Sequence, residues 1–138
     1  MKVLVSACIT GGNCKYNGKN NLNSKVVDFL KDKEVIEICP EMLAGMSILR
    51  ASAEIVDGYV TEANGKNVDK EYRKGVELAL ERIKDEDIDL VILQSRSPTC
   101  GVNKIYDGSF TGKLINGRGL FAEALIYARY KLIDSEDV

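Results

Sequence analysis

Apolar positions along the chain follow two alternating rhythms: short runs rich in β-branched residues, and longer stretches with helical spacing. Lys2-Val-Leu-Val-Ser6 is a run suited to a strand buried on both faces, and Val35-Ile-Glu-Ile38 and Leu90-Val-Ile-Leu93 have the same character. Lys131-Leu-Ile133 is a candidate last strand. Between these runs, Tyr72, Val76, Leu80 and Ile83 recur among charged residues and predict a helix over Asn67–Lys84. Ser24 is placed to cap a short helix reaching about Lys31, with Val26, Val27, Phe29 and Leu30 as its apolar contacts. A further helix is predicted over about Leu120–Tyr130.

The punctuation between these elements is polar and glycine-laden. Thr10 to Asn23 is too rich in Gly and Asn for regular structure, and Tyr106 to Gly119 reads as a glycine-rich connection. Pro40 cannot donate to a sheet ladder, so the second strand should stop at Cys39. In the ambiguous middle, Glu54-Ile-Val56 and Tyr59-Val-Thr61 flank Asp57-Gly58, a hairpin signal. Strands alternating with helices predict a three-layer, Rossmann-like α/β fold with a mainly parallel sheet and helices on both faces. With no linker, repeat or low-complexity segment, residues 1–138 read as a single domain.

Composition narrows the chemistry. The chain has no histidine, which removes a Ser-His-Asp triad, a Cys-His pair and the common His-ligated zinc sites. A formal net charge of -2 gives no electrostatic footprint for a nucleic-acid polymer, so any nucleic-acid component would be a free base or nucleoside. No apolar run approaches the roughly 20 residues that span a bilayer. Val5-Ser-Ala-Cys8 resembles a lipoprotein cleavage site, but too few residues precede Cys8 for a signal peptide. A cytoplasmic location is therefore expected, where thiols stay reduced and cysteines more often bind metal or do chemistry than form disulfides.

Cys8, Cys39 and Cys100 each follow a predicted strand, and ligands of parallel sheets bind beyond the carboxyl ends of the strands. A single such cysteine is commonly a small buried hydrophobe. Three at strand ends make a shared metal site an equal reading. Three thiolates without histidine suit an iron–sulfur cluster better than a catalytic zinc, while a zinc site that also uses Cys14 stays open. The short Cys-x2-Cys pairs usual in structural zinc sites are absent. The first loop, Cys8-Ile-Thr-Gly-Gly-Asn-Cys14-Lys15, also invites comparison with low-molecular-weight phosphatases and arsenate reductases. Those need an arginine fork where Cys14 stands here, and Lys15 falls one position late.

These stretches, taken together, carry a family resemblance. Val5-Ser-Ala-Cys8 with Lys15-Tyr-Asn-Gly18, Cys39-Pro-Glu41, Arg50 with Glu54, Ser97-Pro-Thr-Cys-Gly101 and Ile105-Tyr-Asp-Gly-Ser-Phe110 resemble, over nearly the whole chain, the bacterial and archaeal family that includes thiouracil desulfidase. The resemblance implies a [4Fe-4S] cluster held by Cys8, Cys39 and Cys100, with Cys14 not required, and Glu41 and Ser97 as the catalytic pair. It implies Arg50, Asp107 and Ser109 as substrate contacts, and a small thiolated nucleobase or nucleoside as substrate. Departures fall at Ala44–Ser52, where the family usually carries more prolines, and at Gln94, where a lysine is common. The further domain of characterised desulfidases is not expected here.

The activity implied is removal of sulfur from a thiolated pyrimidine or similar thiocarbonyl without net redox change. An iron without a protein ligand would act as Lewis acid toward soft sulfur, Glu41 would accept the proton of the attacking water, and Ser97 would donate a hydrogen bond. Each residue has a plainer role available: Glu41 in a helix first turn, Ser97 and Asp107-Gly108 in turns, Arg50 at the surface or paired with Glu54. A sulfur or iron–sulfur carrier without turnover, or a cluster sensor, remains the other class of function.

Overall fold

The computed structural model describes residues 1–138. In chain order the elements are β1 (Lys2–Ser6), α1 (Ser24–Leu30), β2 (Glu34–Ile38), α2 (Pro40–Leu43), β3 (Ala53–Val56), β4 (Tyr59–Glu62), α3 (Asp69–Ile83), β5 (Leu90–Leu93), β6 (Lys104–Tyr106), β7 (Leu114–Asn116), α4 (Leu120–Tyr127) and β8 (Leu132–Asp134). Single 3-10 turns follow β1 over Ala7–Thr10 and close the chain over Ser135–Asp137.

The continuous apolar runs become a four-stranded parallel sheet of order β2-β1-β5-β8. Leu4 lies opposite Ile36 and Val91, and Ile92 opposite Ile133. The two central strands, β1 and β5, are covered on both faces, which is why they are apolar at successive positions rather than alternating. Leu4, Val91 and Leu93 pack against Val76, Ala79 and Ile83 of α3 and Phe121, Ala122 and Leu125 of α4. Val3, Val5 and Ile92 face the other way, onto Ile9 and onto Val26 and Leu30 of α1. The expected three-layer α/β architecture with helices on both faces is the one observed.

Several boundaries differ from the sequence reading. The cap of α1 is Asn23, not Ser24: its Oδ1 accepts the N–H groups of Lys25 and Val26. The last helix stops at Tyr127 because Arg129 turns into the left-handed region at φ 70°. Three elements were not foreseen. Pro40 ends β2 and also opens α2, its missing N–H being harmless at a first helical position. β6, at the entrance of the glycine-rich segment, and β7, inside it, pair as an antiparallel hairpin.

The predicted hairpin, β3–β4, turns through Asp57 and Gly58 with φ 49° and 85°, the positive pair a type I′ turn requires. Its buried Val60 donates its N–H to Asp69 Oδ1 at 2.9 Å, and Arg73 Nε pairs with the other oxygen at 2.6 Å, joining β4 to α3. No helix is long and apolar enough to cross a membrane.

Candidate active site

Parallel strands deliver their carboxyl ends to one rim, and here that rim carries the cysteines. β1 runs into the turn that holds Cys8, β2 into Cys39 at the start of α2, and β5 into the loop ending at Cys100. These three, with Cys14 from the first long loop, are free thiols lining one cavity of about 700 Å3. Glu41, Arg50 and Ser97 line the same cavity. Asp107 and Ser109 do not.

The Cys100 loop is fixed by local hydrogen bonds. Ser97 Oγ accepts the N–H groups of Thr99 and Cys100 at 2.9 and 3.0 Å, and Gly101 donates back to the Ser97 carbonyl. The N-terminus of α4 adds to this, with Leu120 and Phe121 donating their N–H groups to the carbonyls of Pro98 and Thr99. This approach needs Gly119: a Cβ there would lie 2.4 Å from the Thr99 carbonyl carbon.

Glu41, in the first turn of α2, is held by two neighbours. Thr99 donates its hydroxyl to Oε1, and the Cys39 thiol donates to Oε2 at 3.2 Å. Thr99 is 1% exposed, so its hydroxyl fixes the carboxylate from inside the protein. Thr99 carried no site signal of its own in the sequence, because a buried threonine in a Ser-Pro-Thr-Cys turn reads as a turn residue.

The thiols have distinct environments. The Cys8 thiol is brought down to about 7, chiefly by a hydrogen bond with Cys14 and also with Asn21, against the opposing effect of burial. Contact with Cys39 and then Cys8 pushes the Cys14 thiol upward. Burial, with a smaller contribution from the Glu41 carboxylate, pushes the Cys100 thiol well up. The Tyr72 phenol, beside the cavity, is raised to about 12 by burial and then by Glu41.

Arg50 is largely committed to the backbone. Its Nη1 donates to the carbonyls of Ser47 and Ile48 and its Nη2 to that of Cys14 at 3.0 Å, which ties the Cys14 loop to the 47–50 segment. The Arg50–Glu54 pairing considered from the sequence is not formed. Glu54 Oε1 instead accepts the N–H groups of Gly108 and Phe110. Asp107 accepts the Ser109 N–H and hydroxyl within its own exposed turn, and this contact holds its carboxyl below the ordinary range.

No three His, Cys, Asp or Glu side chains are gathered tightly enough to hold a single metal ion. Three thiols lining one cavity, in a chain without histidine, are a donor set that fits an iron–sulfur group.

The family model for 2-thiouracil desulfurase matches residues 3–137. The chain belongs to this family. The uncharacterized protein YbbK of Bacillus subtilis (strain 168) is 34% identical over 146 residues, covering 99% of this chain and 97% of its own. A solved [4Fe-4S]-dependent thiouracil desulfidase, TudS, has a similar fold with a TM-score of 0.91 at 29% identity, covering 99% of this chain and 92% of that one. The α/β architecture described above is thus shared with that desulfidase.

Proposed function

We propose that this desulfurase-family chain is a [4Fe-4S]-dependent desulfidase that removes sulfur from a small thiolated pyrimidine or similar thiocarbonyl compound, in a reducing, cytoplasmic setting. The observation that carries the reading is the meeting of Cys8, Cys39 and Cys100 with Glu41 and Ser97 on one cavity at the sheet's carboxyl rim. Cys8, Cys39 and Cys100 would hold the cluster, which would supply Lewis-acidic iron suited to soft sulfur.

The chain's own groups supply the rest. Ligation requires Cys39 to lose the proton it shares with Glu41, which leaves Oε2 free to accept one, while Thr99 keeps Oε1 oriented. Glu41 then takes a proton from water attacking the thiocarbonyl carbon. Ser97 Oγ already accepts two backbone N–H groups, so its own O–H is the part left to donate toward substrate. The net change replaces C=S with C=O and converts water to hydrogen sulfide, with no oxidation or reduction.

The test is anaerobic reconstitution with iron and sulfide, followed by assay of 2-thiouracil for uracil and sulfide. Wild type should form both in equal amounts, and Glu41→Ala should lose turnover while retaining iron. Sulfur transfer to an acceptor protein that persists in Glu41→Ala, with no uracil formed by wild type, would establish a carrier and overturn the enzyme reading.

A further inference from the structure

We propose that Phe110 is the specificity-determining wall of this cavity, selecting planar aromatic thiocarbonyl rings by stacking, and that Glu54 is the positioning residue that sets it there. The inference rests on the desulfidase reading for its chemistry, and it concerns the aromatic part of the cavity lining.

Phe110 lines the cavity together with Tyr16 and Tyr106. Its backbone sits in the left-handed region at φ 59°, a conformation that is unfavourable for a bulky aromatic residue and persists only where the surroundings impose it. The imposing group is identifiable. Glu54, on β3, forms no ion pair with lysine or arginine, and its Oε1 accepts the Gly108 and Phe110 N–H groups at 3.0 and 3.2 Å. A carboxylate accepting two backbone N–H groups makes charge-assisted bonds. It fastens the β6–β7 turn over β3 and fixes where the Phe110 ring emerges.

The neighbouring polar residues of that turn are used elsewhere. Asp107 accepts both donors of Ser109, and the Ser109 hydroxyl also lies 2.6 Å from that of Thr111, so both close the turn on its exposed side. Phe110 is therefore the residue that this turn contributes to the cavity beside its backbone glycine, Gly112. An aromatic face attracts any flat heterocycle, whereas an open-chain thioamide offers no ring to stack.

The test uses the reconstituted holoprotein with 2-thiouracil and thioacetamide as substrates, and calorimetric binding of uracil. Phe110→Leu keeps an apolar side chain and the backbone requirement but removes the ring. It should lower the ratio of kcat/KM for 2-thiouracil over thioacetamide about fivefold or more, through KM, and weaken uracil binding by a similar factor. Phe110→Tyr should restore both. Glu54→Ala should reproduce the Phe110→Leu ratio, the double variant should add little further, and Glu54→Gln, which keeps an acceptor, should rescue it. Equal losses for both substrates, or undiminished uracil binding in Phe110→Leu, would overturn the proposal. Uracil binding that depends on Phe110 without any turnover by wild type would instead overturn the desulfidase reading and leave the aromatic wall standing.

Discussion

The cavity's floor is made of the ends of a four-stranded parallel sheet, whereas its roof comes from two antiparallel hairpins fastened by individual side chains. On the floor, Cys8, Cys39 and Cys100 follow strands whose Val5, Ile38 and Leu93 are almost wholly buried. Backbone bonds from α4 lock the Cys100 loop. On the roof, the β6–β7 turn is held over β3 by one carboxylate, Glu54. A group that must meet a metal and a reacting atom within a fraction of an ångström belongs on rigid strand ends. A wall that discriminates among substrates can sit on a separately fastened hairpin, where a change alters selection without moving the thiols.

On that division, changes to the floor should reach chemistry and metal, and changes to the roof should leave the metal in place. The largest effect is expected from Glu41→Gln, which removes the proposed proton acceptor from the floor and should lower kcat about 10²- to 10⁴-fold with iron retained. Anaerobic kinetics alongside iron analysis check it. Next comes Gly119→Ala, whose new Cβ would strike the Thr99 carbonyl carbon at 2.4 Å. The resulting shift should cost about 1–3 kcal/mol in chemical denaturation and reduce iron retention, because Cys100 is the next residue. Its roof counterpart is Gly58→Ala, which meets open space and pays only for φ +85°. A loss of about 1 kcal/mol with unchanged iron content is expected there. Iron loss in Gly58→Ala but not in Gly119→Ala would break the comparison.

The smallest effect is a pH dependence on the roof. Ser109 holds the exposed Asp107 carboxyl below its ordinary range, so the folded-state value lies below the unfolded one. The contribution to stability is then present above the unfolded value and lost as pH falls through the folded one. Asp107→Asn should melt slightly below wild type at neutral pH, and the difference should begin to shrink below about pH 4 and vanish once the pH is below the folded-state value. Melting curves by circular dichroism across that range report it.

What could be read from the sequence follows the same division. The central strands were legible because burial on both faces makes Val3–Val5 and Val91–Leu93 continuously apolar, a local signal that survives without knowledge of partners. The cysteine convergence was legible because topology sends parallel strand ends to one rim. The roof was less so. β6 and β7 are three residues each and are interrupted by a turn carrying Gly108 and Gly112, so no apolar run long enough to read as a strand marks either of them. The roles of Thr99, Glu54 and Arg50 depend on hydrogen bonds spanning 58, 54 and 36 positions, respectively, which no local pattern encodes. Cys14 shows the limit most plainly. It falls outside the strand-end pattern, yet it lines the same cavity as Cys8, Cys39 and Cys100.

That placement sets the most direct measurement: iron and acid-labile sulfide per chain after anaerobic reconstitution, in wild type and in single serine variants of Cys8, Cys14, Cys39 and Cys100. The account predicts iron and sulfide in the one-to-one ratio of a cubane cluster in wild type and in Cys14→Ser, with loss of both in the other three. Zinc bound in place of iron, or a cluster that survives Cys100→Ser and is lost in Cys14→Ser, would contradict it.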